Sequence, residues 1–191
     1  MNSPILYVNA CVRAGSRTAR LAEKLLARLG GPYEEVCLAR TDFSPVDEEY
    51  LVRRDRLVAA GDLQDPAFDP ARRFAMAETV VIAAPYWDLS FPAALKQYLE
   101  HINVPGITFR YTEEGAPVGL CRAKRLFYVT TAGGNDVPVE YGFGYVKALA
   151  RGYYGIRDVR LIWATGLDIY GADAEAILKA AEEALPQEGD M

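Results

Sequence analysis

The alternation of β-prone runs with helical repeats predicts an α/β protein built on a doubly wound five-stranded parallel sheet, with helices on both faces. The β-prone runs lie at residues 5–8, 33–38, 79–84, 125–130 and 159–164. The run 79–84 (TVVIAA) is apolar after its first residue, as expected of a strand covered on both faces. The 191 residues contain no repeat and no low-complexity linker, so residues 1–191 are predicted to form a single domain.

The helices are predicted from apolar residues that recur at helical spacing. The first spans residues 18–29, where Leu21, Leu25 and Leu29 fall four apart before Gly30-Gly31 ends the repeat. Further helices are predicted at residues 47–60, 71–77, 92–102, 141–154 and 172–185. Residues 107–111 and 117–118 flank the turn TEEGA and predict a hairpin-like excursion around residues 103–123.

Composition excludes several classes of protein. The net charge is −5 and basic residues occur only in short pairs, so nothing favours a nucleic-acid partner. No apolar run is long enough to cross a bilayer, and residues 1–4 lead into the first strand without a secretory signal. A cytoplasmic protein without a membrane partner is therefore expected. Three scattered cysteines and one histidine, His101, indicate neither a disulfide framework nor a metal site.

The link between the first strand and the first helix, NACVRAGSRT at residues 9–18, has the composition of a phosphate cradle. Ser16 and Thr18 supply hydroxyls, Arg17 supplies a fork of donors, and the helix N-terminus adds unpaired amides. Neither a Walker loop nor a dinucleotide-binding glycine fingerprint is present. The alternative interpretation is an ordinary helix cap with Arg17 in solvent.

The link after the third strand contains Pro85, Tyr86, Trp87, Asp88 and Leu89. Its peptide groups have the hydrogen-bonding capacity to meet the edge of a planar heterocycle, and its aromatic side chains have the shape to wall one side of the ring. The alternative interpretation is that the two aromatic residues fill core space, as aromatic residues usually do.

The link after the fourth strand, TAGGN at residues 131–135, begins with Thr131, Ala132, Gly133 and Gly134. Two glycines allow close approach of the backbone to a ligand, although an ordinary strand-to-helix turn has the same composition. The loops that follow parallel strands meet at one edge of the sheet. The loops together could bind a flat ring and a terminal phosphate, and the chain has no pyrophosphate motif. This combination indicates a mononucleotide, and FMN fits.

Four segments resemble the flavodoxin-like NAD(P)H:quinone oxidoreductase and FMN-dependent NADH-azoreductase family. They are SRT at 16–18, APYWDLSFPAALKQYLEHI at 84–102, GITFRYTEEGAPVGL at 106–120 and TTAGG at 130–134, in the family's order and spacing. The resemblance implies a flavodoxin-like fold with strand order 2-1-3-4-5. It also implies a homodimer with flavin sites at the interface.

The resemblance assigns roles to the three loops. Residues 16–18 would hold the FMN phosphate, near Cys11, where family members often have a serine. Residues 85–89 and 131–134 would line the isoalloxazine ring, with Asp88 in place of the more usual asparagine. Tyr111 would reach the flavin of the partner protomer as a wall of the substrate pocket, and Tyr153 is a second candidate for that pocket.

The resemblance implies a ping-pong reaction. NADH or NADPH passes a hydride to flavin N5, and a quinone or azo compound, the small-molecule electron acceptor, is then reduced by two electrons. The flavin does the chemistry, so no side chain is assigned as a general acid, and His101 is interpreted as structural or solvated. Two alternatives stay open at this point: a flavodoxin-type electron carrier, which would leave residues 103–123 unexplained, and a non-catalytic flavin-binding module.

Overall fold

The computed structural model describes residues 5–186, and its centre is a five-stranded parallel sheet. The strands in chain order are β1 (Ile5–Asn9), β2 (Tyr33–Cys37), β3 (Thr79–Ala83), β4 (Phe109–Tyr111), β5 (Pro117–Gly119), β6 (Arg125–Thr131) and β7 (Asp158–Ala164). The sheet runs β2-β1-β3-β6-β7, which is 2-1-3-4-5 when its own strands are counted, so the predicted fold class and order are confirmed. Strands β4 and β5 form the predicted hairpin. Residues 1–4, where no secretory signal was expected, lie outside the described residues.

Within residues 5–186 there are six α-helices, close to the predicted bounds: α1 (Arg17–Leu29), α2 (Glu48–Ala59), α3 (Asp69–Met76), α4 (Ala93–Ile102), α5 (Tyr145–Leu149) and, after the last strand, α6 (Ala174–Glu183). Two stretches differ from prediction. A 3₁₀ turn, Pro66–Phe68, stands where a loop was predicted, because the Asp65 carboxylate accepts the Ala67 amide at 2.8 Å and caps it. The predicted helix 141–154 is continuous, but π-helical turns, Glu140–Gly144 and Ala150–Tyr154, flank α5. None of the helices within residues 5–186 is long and apolar enough to span a bilayer.

The strands bury alternate residues on opposite faces of the sheet. Leu6, Val80 and Leu126 pack with residues of α2 to α5 on one face. Tyr7 and Phe127 pack with α1 on the other face, which α6 also covers. Both faces of the sheet are therefore buried, and its carboxyl edge is left as the place where loops can form a site.

The β4–β5 hairpin docks on the end of the helical stretch that follows β6. A Cβ atom added to Gly119 would lie 2.2 Å from the Gly155 amide nitrogen and 2.2 Å from the Tyr154 carbonyl carbon. Two backbones therefore approach each other with no room for a side chain. Beside this contact the Phe109 ring packs edge-on against Tyr153, with centroids 4.7 Å apart.

We expect Gly119→Ala to lower the free energy of unfolding by about 1–3 kcal/mol, since backbone must move to admit the methyl group. Chemical denaturation measures the effect. Gly152→Ala is the matched control: a Cβ at Gly152 meets nothing within 4 Å, so that variant should be as stable as the parent or slightly more stable. Equal stability of the two variants would contradict the close approach.

A second expectation concerns alkaline pH. Burial raises the pKa of Tyr98 and of Tyr128 above the ordinary value of 10.0, and the Tyr98 hydroxyl has no hydrogen-bond partner among the described residues. These tyrosines ionise more readily when unfolded, so their contribution to stability is fully present below pH 10 and should be lost as the pH rises above it. Denaturation at several pH values should give a shallower fall for Tyr98→Phe, which loses no hydrogen bond. An identical slope in both proteins would contradict this assignment.

Candidate active site

A cavity of about 260 Å³ opens at the carboxyl edge of the sheet, between the loops that follow β1, β3 and β6. These strands are neighbours, and β1 is the strand at which the order of the sheet reverses, where α/β proteins bind ligands. All three loops singled out from the sequence contribute to the cavity. It is lined by Val12, Arg13, Gly15, Ser16, Arg17, Thr18, Pro85, Tyr86, Trp87, Thr131, Ala132, Gly133 and Asp168.

Ser16 is the N-cap of α1, and residues at the N-terminus of this helix line the cavity. The Ser16 Oγ accepts the Ala19 amide at 3.3 Å, and the Ser16 carbonyl accepts the Arg20 amide at 3.0 Å. The first amides of a helix lack acceptors in a preceding turn and carry the positive end of the helix dipole. Arg13 and Arg17 line the cavity beside this N-terminus, so the arrangement has the chemistry to bind an anion.

Arg17 does not extend into solvent but crosses to the loop after β7. Its Nη2 lies 2.8 Å from Oδ1 of Asp168, and its Nη1 donates to the Leu167 carbonyl at 3.1 Å. The guanidinium thus has two acceptors in one loop. This loop was not among those singled out from the sequence, and it adds a carboxylate to the lining.

A buried pair of threonines joins α1 to the end of β6. The Oγ1 atoms of Thr18 and Thr131 are 2.6 Å apart, and the two residues are 1% and 8% exposed. Thr131 is the last residue of β6 rather than the first of the loop, because its register with Ala164 continues the β6–β7 ladder. The Thr18 hydroxyl is therefore already engaged within the protein.

The second loop contains a tight reverse turn with unusual backbone geometry. The Trp87 amide donates to the Ser90 carbonyl at 3.1 Å, and the Ser90 amide donates to the Trp87 carbonyl at 2.8 Å. Between them Asp88 and Leu89 adopt φ angles of 49° and 67°, the left-handed pattern of a type I′ turn. Left-handed conformations at non-glycine residues cost energy and concentrate at functional sites. The Ser90 Oγ donates to the Tyr141 carbonyl at 2.8 Å, which anchors the turn beside the cavity.

Several predicted site residues lie outside the lining of this cavity. Cys11 is buried among core residues, with its sulphur 3.9 Å from the Ala83 carbonyl oxygen, and burial raises the pKa of its thiol. Asp88, Leu89 and Gly134 are exposed next to residues that do line it. Binding of FMN by these four residues, as by the predicted residues that do line the cavity, stays a prediction.

Tyr111 and Tyr153 lie together on the hairpin side of the molecule, outside the cavity lining. Hydrogen bonding to Tyr153 raises the pKa of the Tyr111 hydroxyl. His101, on α4, is buried against the loop between β2 and α2, with Nε2 2.9 Å from the Ser44 carbonyl oxygen. Within residues 5–186, no three His, Cys, Asp or Glu side chains are grouped in a way that could hold a metal ion.

Sequence reasoning missed four lining residues: Val12, Arg13, Gly15 and Asp168. The first three lie inside the first loop but outside the SRT segment that carries the family resemblance. Asp168 follows the fifth strand of the sheet, so the same carboxyl-end rule could have included its loop. A lone aspartate in an unremarkable loop carries no pattern that would single it out.

Comparison with known proteins gives matches over nearly the whole chain. A family model described as flavodoxin-like fold matches residues 3–188. An FMN-dependent NADH:quinone oxidoreductase of Lachnoclostridium phytofermentans is 35% identical, with 95% of each chain covered. FMN-dependent NADH:quinone oxidoreductase 2 of Clostridium acetobutylicum is 38% identical, with 93% of each covered. The crystal structure of an azoreductase from Bacillus anthracis superimposes with a TM-score of 0.80, at 26% identity and 95% coverage of both chains.

The threonine pair leads to an expectation for stability. Thr18→Val should lower the free energy of unfolding by about 1–3 kcal/mol, because it leaves the buried Thr131 hydroxyl without its partner. The double variant Thr18→Val/Thr131→Val leaves neither hydroxyl, so part of the loss should be recovered. A double-mutant cycle by chemical denaturation measures this coupling, and strictly additive losses would contradict it.

Proposed function

The chain belongs to the family of proteins with a flavodoxin-like fold, and on that basis we propose that it is an FMN-dependent oxidoreductase that takes electrons from NADH and reduces quinones or azo compounds. One observation carries the proposal: two features meet in one cavity. They are an anion cradle, formed by the N-terminus of α1 with Arg13 and Arg17, and an aromatic wall, formed by Tyr86 and Trp87. The names of the two curated relatives support the quinone reaction, and that of the solved structure supports the azo reaction.

The cavity lining fits FMN in its chemistry. The N-terminus of α1, with Arg13 and Arg17 beside it, suits one phosphate group. Pro85, Tyr86 and Trp87 add a proline and two aromatic side chains to the lining, against which a ring could stack. The Tyr86 hydroxyl is buried and has no hydrogen-bond partner among the described residues, which leaves it a donor that a ligand could use.

The third loop is arranged to offer amides rather than carbonyls. The carbonyls of Ala132, Gly133 and Gly134 accept amides from the loop after β7, at 3.2, 3.0 and 2.9 Å respectively. With those carbonyls engaged, the amides of Gly133 and Gly134 are the groups that remain for a ligand. Amide donors stabilise negative charge that develops on a ring during reduction.

FMN, held by the N-terminus of α1 and by the loops after β3 and β6, would supply the redox chemistry, which is two-electron (hydride) transfer through N5 from NADH or NADPH to the acceptor in a ping-pong reaction. The chain's own part is to bind and orient. The cradle fixes the phosphate end, the anchored turn at residues 87–90 fixes one edge of the ring, and the glycine loop meets the other edge. In this proposal no side chain moves a proton in the chemical step.

A homodimer with the sites at its interface is part of the proposal. Large apolar side chains are exposed around the cavity, including Val12, Trp87, Leu89 and Tyr141. A second protomer covering them would exclude water from the ring. Tyr111, which is 51% exposed, and its neighbour Tyr153 would then form the substrate pocket against the FMN of the partner.

The proposal is tested by adding FMN to the purified protein under anaerobic conditions and then adding NADH. We expect flavin absorbance that bleaches with NADH and returns with menadione, a quinone. Arg17→Gln should weaken FMN binding by about tenfold or more, through loss of charge-assisted hydrogen bonds. Lys24→Gln, an equal change of charge at an exposed position of the same helix, should bind FMN like the parent.

Two results would contradict the proposal. If the protein takes up no FMN, FMN is not its cofactor. If NADH does not bleach the FMN-loaded protein, the protein is not an NADH-dependent reductase. The electron-carrier alternative predicts the second result, and the non-catalytic flavin-binding module predicts flavin uptake without turnover of menadione.

A further inference from the structure

We propose that Asp168 is a positioning residue that holds Arg17 in the ligand-free cradle and limits the affinity of the cradle for phosphate. The inference rests on the proposed function, in which the cradle receives the FMN phosphate. It concerns a residue outside the three loops to which the sequence assigned the cofactor.

Arg17 is held by two contacts to one loop. One is the ion pair with the Asp168 carboxylate at 2.8 Å, and the other is the hydrogen bond to the Leu167 carbonyl at 3.1 Å. Two anchors in one loop define the direction of the guanidinium, whereas a solvated arginine would sample many rotamers. Asp168 therefore keeps the cation at the cavity, where both residues are part of the lining.

The position of the carboxylate is itself fixed by the neighbouring loop. The Asp168 amide donates to the Gly133 carbonyl at 3.0 Å, and the Leu167 amide donates to the Ala132 carbonyl at 3.2 Å. A Cβ atom on Gly133 would lie 2.3 Å from Oδ2 of Asp168. The carboxylate thus occupies space that only a glycine at position 133 leaves free, and it lies against the loop assigned to the flavin ring.

The charges then determine the effect on binding. The side chains of Arg17 and Asp168 are 36% and 65% exposed, and ion pairs this exposed are weak. A phosphate carrying up to two negative charges, with helix amides as further donors, outcompetes such a carboxylate for Arg17. The displaced carboxylate still lines the same cavity, and its repulsion of the phosphate lowers the affinity.

The test compares the dissociation constants of FMN and riboflavin for the wild-type protein and Asp168→Asn, measured by quenching of flavin fluorescence. The asparagine retains an oxygen that can accept from Arg17 but removes the charge. We expect FMN to bind roughly three- to tenfold more tightly to the variant at low salt, with a smaller gain at high salt. Riboflavin lacks the phosphate, so its affinity should not change.

Glu175→Gln is the matched control. Glu175 is paired with Arg20, one turn further along α1, and neither residue is part of the cavity lining. Glu175→Gln removes one negative charge near α1, as Asp168→Asn does. If FMN affinity is unchanged in Glu175→Gln, the gain in Asp168→Asn is due to the position of Asp168. If Asp168→Asn proves unstable, Asp168→Ser removes the charge with a smaller side chain.

Equal or weaker FMN binding by both uncharged variants would overturn the inference and leave the proposed function intact. A gain of the same size for riboflavin would also overturn it, because a general change of the loop would then be responsible. Failure of wild-type protein and variants alike to bind FMN would refute the proposed function, and this inference with it.

Discussion

The parallel pairing of β1, β3 and β6 is the constraint from which the site follows. The register places Asn9 beside Ala83, and Ala83 beside Val129, so the ends of β1 and β3 lie level with each other and two residues before the end of β6. Two further hydrogen bonds extend this alignment one residue into the loops: the Ala10 amide donates to the Ala83 carbonyl, and the Ala84 amide donates to the Val129 carbonyl. A slip of two residues in one pairing would displace its loop by about 7 Å and separate the anion cradle from the aromatic wall.

Polar side-chain contacts join the elements of the site above that edge. The Thr18–Thr131 pair joins α1 to the end of β6, and Arg17 joins α1 to the loop after β7. A ligand would thus find its amides and aromatic surface already in place, which lowers the cost of binding. The exception is Arg17, which has to exchange one partner for another.

The segment between β3 and α4 illustrates how local geometry and function coincide. Two left-handed residues, Asp88 and Leu89, allow the chain to reverse within one turn and leave Trp87 at the rim. Aspartate tolerates this conformation because its short side chain hydrogen-bonds locally, whereas leucine does not share that advantage. Trp87 is therefore not placed here for core packing, since it is 37% exposed and lines the cavity.

By itself the sequence determined the strands, most helix bounds, the order of the sheet and the three loops at its edge, because periodicity, turn residues and family motifs are local signals. Only the tertiary structure decided that Arg17 meets Asp168, that Thr18 meets Thr131 and that Cys11 is buried in the core. Those two side-chain pairs are 151 and 113 residues apart in the chain. No periodicity encodes such contacts, because they arise from how neighbouring strands deliver their loops to the same edge in space.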